Sequence, residues 1–70
     1  MDMTMQEIDF TMKRLDIIYR SYDAKDWPNY SFKLCAGDLI EKYDSKGPQS
    51  FSEWEYGMAT NLVLMMEERK

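Results

Sequence analysis

SEWEYGMATNLVLMMEERK, residues 52–70, is the most apolar stretch of the chain and carries the marks of both ends of a helix. Ser52 with Glu55 fits a capping box, in which each side chain accepts a hydrogen bond from the other residue's free backbone N–H. Phe51 before the cap and Tyr56 beyond it fit the hydrophobic staple that sets the entry angle of the chain. Ser50 with Glu53 repeats the box two residues earlier, so the start is fixed to within about half a turn. Glu53 and Glu55 near the beginning and Arg69 and Lys70 near the end follow the helix dipole, whereas Glu67 and Glu68 oppose it. Trp54, Met58, Leu62 and Met65 form one apolar row at helical spacing, and Tyr56, Ala59, Val63 and Met66 form a second beside it. Leu64 widens the apolar arc further. A helix apolar on most sides is a central one, so this segment is expected to be the spine against which the rest packs.

Working outward from that spine, residues 4 to about 23 predict a second long helix. Thr4 and Glu7 make a capping box, with Met3 and Ile8 as its staple. Met5, Ile8, Met12, Leu15, Tyr19 and Tyr22 then alternate three and four residues apart, a heptad-like seam nearly three repeats long. Asp9 with Lys13 and Asp16 with Arg20 are i,i+4 pairs in the favourable order. Phe10 and Ile17 fall outside the seam, on the far side of the helix, and with Met3 they make a narrow second stripe spaced seven apart. Scattered surface apolar residues are ordinary. A stripe at regular spacing is instead expected to meet a second subunit, a partner or the chain's own middle segment.

AKDWPNYS, residues 24–31, breaks the first helix. Pro28 disfavours helical dihedrals at Trp27, and Asp26, Asn29 and Ser31 form turns or caps. Trp27 is expected to fold back on the end of the first helix, with a surface anchor for a partner as the alternative. Beyond it, Phe32, Ala36, Leu39, Ile40 and Tyr43 follow helical spacing over residues 32–44, and Asp38 with Lys42 adds another i,i+4 pair. The competing reading is an α+β chain with a hairpin at 30–43, because Tyr30, Phe32 and Leu34 alternate with Ser31 and Lys33. Ala36-Gly37 is a poor two-residue hairpin turn, which favours the helix. Gly47 followed by Pro48 stops it.

Composition narrows the class of function. Seventy residues make one domain, 1–70, at the small end of what folds unaided, so a second copy is expected to help. With 44% hydrophobic residues the chain is too apolar to be disordered. A single cysteine, Cys35, forms no internal disulfide, and no Cys/His set exists for zinc. No basic-then-apolar leader stands at the N-terminus, and the longest uninterrupted apolar run, residues 62–66, is far short of a membrane span. The expectation is a cytoplasmic protein with no membrane association and a free thiol. Net charge is −4 with the signs mixed along the chain, so the concentrated basic face that binds phosphates is missing and nucleic acid is disfavoured as a partner.

Chemistry is sparse. The absence of histidine removes the commonest general base and every His-based triad or metal site. Cys35 lies between Leu34 and Ala36 with nothing to activate it, and the pairs Glu53/Glu55 and Glu67/Glu68 sit at helix ends where capping and solvation explain them. Gly37, Gly47 and Gly57 belong to no phosphate-binding loop. No catalytic, cofactor-binding or metal-binding residues are assigned. Seven methionines suit both irregular cores and adaptable binding surfaces.

The expected architecture is all-α: a three-helix chain with long first and third helices and a shorter middle one, packed as a helical bundle and dimeric. The expected function is a non-enzymatic protein–protein interaction module, a homodimer that binds and blocks a larger protein. Phe10, Ile17, Trp27 and Met3 are the candidate partner-binding residues. In size and acidity the chain is similar to small inhibitor or accessory proteins encoded by bacteriophages, a likeness that no motif carries. The alternative is a small nucleic-acid-associated regulator.

Overall fold

A computed structural model describes residues 4–68 and shows three α-helices. α1 spans Met5–Ser21, α2 spans Tyr30–Lys46 and α3 spans Glu53–Glu67. One-turn 3-10 segments, Ala24–Asp26 and Pro48–Ser50, open the two connections. Each helix packs against both others. Among the described residues there is no strand, so the hairpin at 30–43 does not form.

The caps explain where the helices begin. The Thr4 hydroxyl accepts from the Glu7 backbone N–H at 3.1 Å while the Glu7 carboxylate accepts from the Thr4 N–H at 2.9 Å. Ser52 and Glu55 repeat the arrangement at the head of α3. Each box satisfies two of the N–H groups that a helix start leaves free. The middle helix is not the short one: α1 and α2 have 17 residues each and α3 has 15. Asn29 caps α2 by accepting from the Ser31 N–H at 2.9 Å, so Tyr30 and Ser31 are already helical. At the other end α2 runs to Lys46 and stops at Gly47, whose φ of 83° and ψ of 173° belong to a region that glycine alone occupies freely.

One buried cluster joins all three helices. α1 contributes Ile8, Met12, Leu15 and Ile18, α2 contributes Ala36 and Leu39, and α3 contributes Ala59, Leu62, Val63 and Met66. Each connection adds an aromatic ring immediately after its 3-10 turn. Trp27 meets Tyr19 edge-on at 6.5 Å, and Phe51 meets Tyr43 edge-on at 6.2 Å. Offset or edge-on pairs of this kind add about 1 kcal/mol beyond the area they bury.

The packing corrects two details of the apolar pattern. On α1 the buried arc is wider than the heptad seam: Thr11 and Ile18 are buried while Met5 at the first turn is exposed. α1 faces two helices at once, which a single seam cannot describe. On α3 the two rows part company. In the row of Tyr56, Ala59, Val63 and Met66 the last three are core, whereas in the row of Trp54, Met58, Leu62 and Met65 only Leu62 is buried: Met58 and Met65 are half-buried and Trp54 is 72% exposed. Trp54 is therefore a surface residue and not part of the core. No helix among the described residues is long and apolar enough to cross a membrane.

Candidate functional site

α1 and α3 lie side by side with an open groove of about 280 Å³ between them. Phe10 and Thr11 of α1 form one wall, Tyr56, Thr60 and Leu64 of α3 the other. Phe10 is 61% exposed and Leu64 50%, so the two rims are apolar and face solvent. Ile17, 59% exposed, stands farther along α1 beside a second recess that it shares with Tyr22 and Met66.

Glu67 lines both recesses, and Arg14 of the first is held against it. The Arg14 guanidinium lies 5.3 Å from the centre of the Phe10 ring and pairs with Glu67 of α3. An arginine held between a ring face and a carboxylate has little freedom left, so it stiffens the groove at small entropic cost. Arg20 is likewise engaged, with Asp16 at 2.8 Å. Two of the three basic residues of α1 are thus neutralised within the molecule, which weakens its appeal to phosphates.

The four residues singled out from the sequence end in different places. Phe10 and Ile17 share the outward face of α1, as their spacing predicted. Met3 lies outside the described residues. Trp27 folds back on α1 as expected, and its alternative as a surface anchor is corrected: at 4% exposure its ring is part of the core against Tyr19, where it closes the α1–α2 connection, and it has no surface to offer a partner. Its indole Nε1–H is buried without a hydrogen-bond acceptor. Leu64 was missed as a rim residue, although it stands outside both rows of α3.

A third groove, of about 410 Å³, runs between α2 and α3. Phe32, Cys35, Met58, Leu62 and Met65 line it, with Ser31 and Asn61 as its polar members. Burial, with Asp38 nearby, raises the Cys35 pKa and keeps it a protonated thiol. It is not an activated nucleophile.

The remaining perturbed groups are structural in their contacts. Glu55 accepts from the Lys42 ammonium at 2.6 Å and from Ser52, and these bonds lower its pKa. A general acid at neutral pH needs the opposite shift. Tyr43 donates to the Asp9 carboxylate, and that bond, followed by burial, pushes the phenol pKa up to about 12. Lys42 and Asp9 therefore serve contacts between helices, not the i,i+4 pairs their spacing offered. No group of three or more His, Cys, Asp or Glu side chains among the described residues is placed to hold a metal ion.

Compared with known proteins, the chain matches no family model, no curated protein and no solved structure.

Proposed function

We propose that this protein is a non-enzymatic interaction module, a small inhibitor or accessory protein that works in the cytoplasm as a homodimer and acts by occupying a surface of a larger protein. The face it presents is the outer side of α1 with the adjoining rim of α3. The observation that carries this reading is the grouping of Phe10, Ile17 and Leu64, each at least half exposed, along one side of the helix pair. Exposed apolar clusters bordered by charged residues are characteristic of protein-binding surfaces. A rigid helix face ordered before it meets its partner keeps the entropic cost of docking low. The likeness in size and charge to phage-encoded inhibitors of host proteins fits the same reading.

The test is capture from the native host with immobilised protein, comparing the natural chain with the double variant Phe10→Lys/Ile17→Lys. A control carrying Tyr30→Lys and Leu34→Lys places two charges on another exposed part of the surface. A specific partner retained by the natural chain and the control, and lost by the α1 variant with its helical circular dichroism intact, is the expected result. Equal retention by all three chains refutes the assignment. Loss of helical signal in the α1 variant shows instead that Phe10 and Ile17 support the monomer.

A further inference from the structure

α3 has an outward face that the monomer leaves uncovered, and its composition is unusual for an acidic protein. From Tyr56 to Met66 there is no charged residue on any side of the helix. Trp54, Met58, Asn61 and Met65 recur on this face at i, i+4, i+7 and i+11, the spacing of a coiled-coil seam. Trp54 and Asn61 are exposed, and Met58 and Met65 half-buried.

Gly57 supplies an independent observation. It sits within α3, where glycine costs about 1 kcal/mol relative to alanine. Yet a Cβ built there meets nothing within 4 Å, so packing within the monomer does not require the glycine. On the same flank of the helix, two turns along, Leu64 projects into solvent.

We propose that α3 pairs antiparallel with α3 of a second copy about a twofold axis. The pairing rests on the homodimer part of the function proposed above and gives it a surface and a register; it takes up Leu64 at the rim of the α1–α3 groove and leaves Phe10 and Ile17 to the larger protein. In an antiparallel seam the residue near the start of one helix meets the one near the end of the other. Trp54 then packs on Met65 of the second copy, a thioether–aromatic contact, and Met58 packs against Asn61. Twofold symmetry repeats both layers. Residues on one flank of an antiparallel pair meet the same flank of the partner, which brings Leu64 over Gly57 of the second copy. The largest apolar projection on this flank thus meets its only missing side chain. A single polar Asn61 within the apolar row fixes the register at some cost in stability, as buried asparagines do in coiled coils.

Charge and size agree with a second copy as the occupant. Two chains of net charge −4 repel, and the uncharged stretch of α3 lets them touch without placing like charges in the centre of the contact. At each end of the antiparallel pair Glu53 of one copy comes near Glu68 of the other, so self-association strengthens with added salt. α3 itself is about 22 Å long, so an interface of the standard size, roughly 800 Å² per partner, takes in the bordering α2 surface as well. The apolar α2–α3 groove with Phe32 borders the seam and continues the contact.

Light scattering on the full chain at micromolar to submillimolar concentration is the first measurement. Twice the 8.4 kDa chain mass is expected. Trp54→Glu weakens self-association on the order of 30-fold, the effect of removing an aromatic hot spot, while Phe10→Lys/Ile17→Lys stays dimeric. The register is read by mixing two single-cysteine chains, Met58→Cys and Asn61→Cys, each with Cys35→Ser, and oxidising the mixture. Disulfides between unlike chains exceed those between like chains if the pairing is antiparallel as described. A mass of 8.4 kDa for the natural chain at all concentrations overturns the pairing and the homodimer with it, and leaves partner docking through α1 standing. A folded Trp54→Glu variant that remains dimeric overturns the choice of face. A preference for like-with-like disulfides overturns the antiparallel register.

Discussion

Replacing each glycine by alanine in turn gives three different outcomes, each set by a local feature of the fold. At Gly57 the added methyl meets open space, so only helix propensity changes. The gain is about 1 kcal/mol, which for a domain of this size raises the melting temperature by about 4–8 °C. At Gly37 the same gain is available, but the methyl carbon would stand 3.0 Å from the Tyr19 hydroxyl and 3.4 Å from the ring. That ring cannot withdraw freely, because Trp27 meets its edge and the Lys33 ammonium lies 4.6 Å from its centre. The propensity gain is cancelled and the melting temperature does not rise. At Gly47 alanine must adopt φ 83°, ψ 173° and press against the Gln49 side chain, 2.8 Å away. Backbone strain in that region costs about 1–3 kcal/mol, so the variant melts lower. Thermal and urea unfolding followed by circular dichroism, at concentrations below self-association, orders the chains Gly57→Ala, natural or Gly37→Ala, Gly47→Ala. A neutral or destabilising Gly57→Ala in dilute solution refutes the reasoning. In the α3 pairing proposed above, the same substitution has the opposite consequence at high concentration, because a methyl at 57 would crowd Leu64 of the second copy.

Trp27→Phe removes an indole N–H whose burial without a partner costs about 1–3 kcal/mol, which offsets most of the ring area lost. Trp27→Ala forfeits the whole ring for about 3–5 kcal/mol. Urea midpoints that place the two variants together would contradict this account. For Glu55 the folded pKa is lowered by Lys42 and Ser52, so its contribution is complete above the unfolded value and is lost as pH falls through the folded one. Glu55→Gln therefore shows a flatter loss of stability in acid, measurable as melting temperature against pH. Tyr43 runs the other way. Its folded pKa of about 12 lies above the ordinary value of 10.0, so the protonated form is favoured, and its stabilisation is present below about 10 and lost as pH rises towards about 12. An ultraviolet titration of the natural chain against Tyr43→Phe shows one tyrosine missing from the late part of the curve.

The helix starts were legible because capping is local: Thr4 with Glu7 and Ser52 with Glu55 announce themselves within four residues. Phe10 and Ile17 were placed correctly on the outside of α1 because that helix alternates polar and apolar faces clearly. The exposure of Trp54 was not legible, for the opposite reason. α3 is apolar nearly all round, and spacing alone does not say which of two adjacent apolar rows turns inward. Asn29 stood among the turn and cap formers, but the apolar spacing begins only at Phe32, which left α2 two residues short at its start. The contacts of Arg14 with Glu67, Lys42 with Glu55 and Tyr43 with Asp9 join separate helices and have no signature in spacing. They exist only once the three helices are set side by side, and one of them lies across the candidate site.

The two connections have a consequence for how the chain reaches this form. In each, a single 3-10 turn is followed at once by an aromatic residue seated in the core, Trp27 in one and Phe51 in the other. Each pair of successive helices therefore carries its own clasp, closed by a ring only a few residues from the bend. Short-range closure of this kind keeps the search small, and helical topologies built from it fold in microseconds to milliseconds.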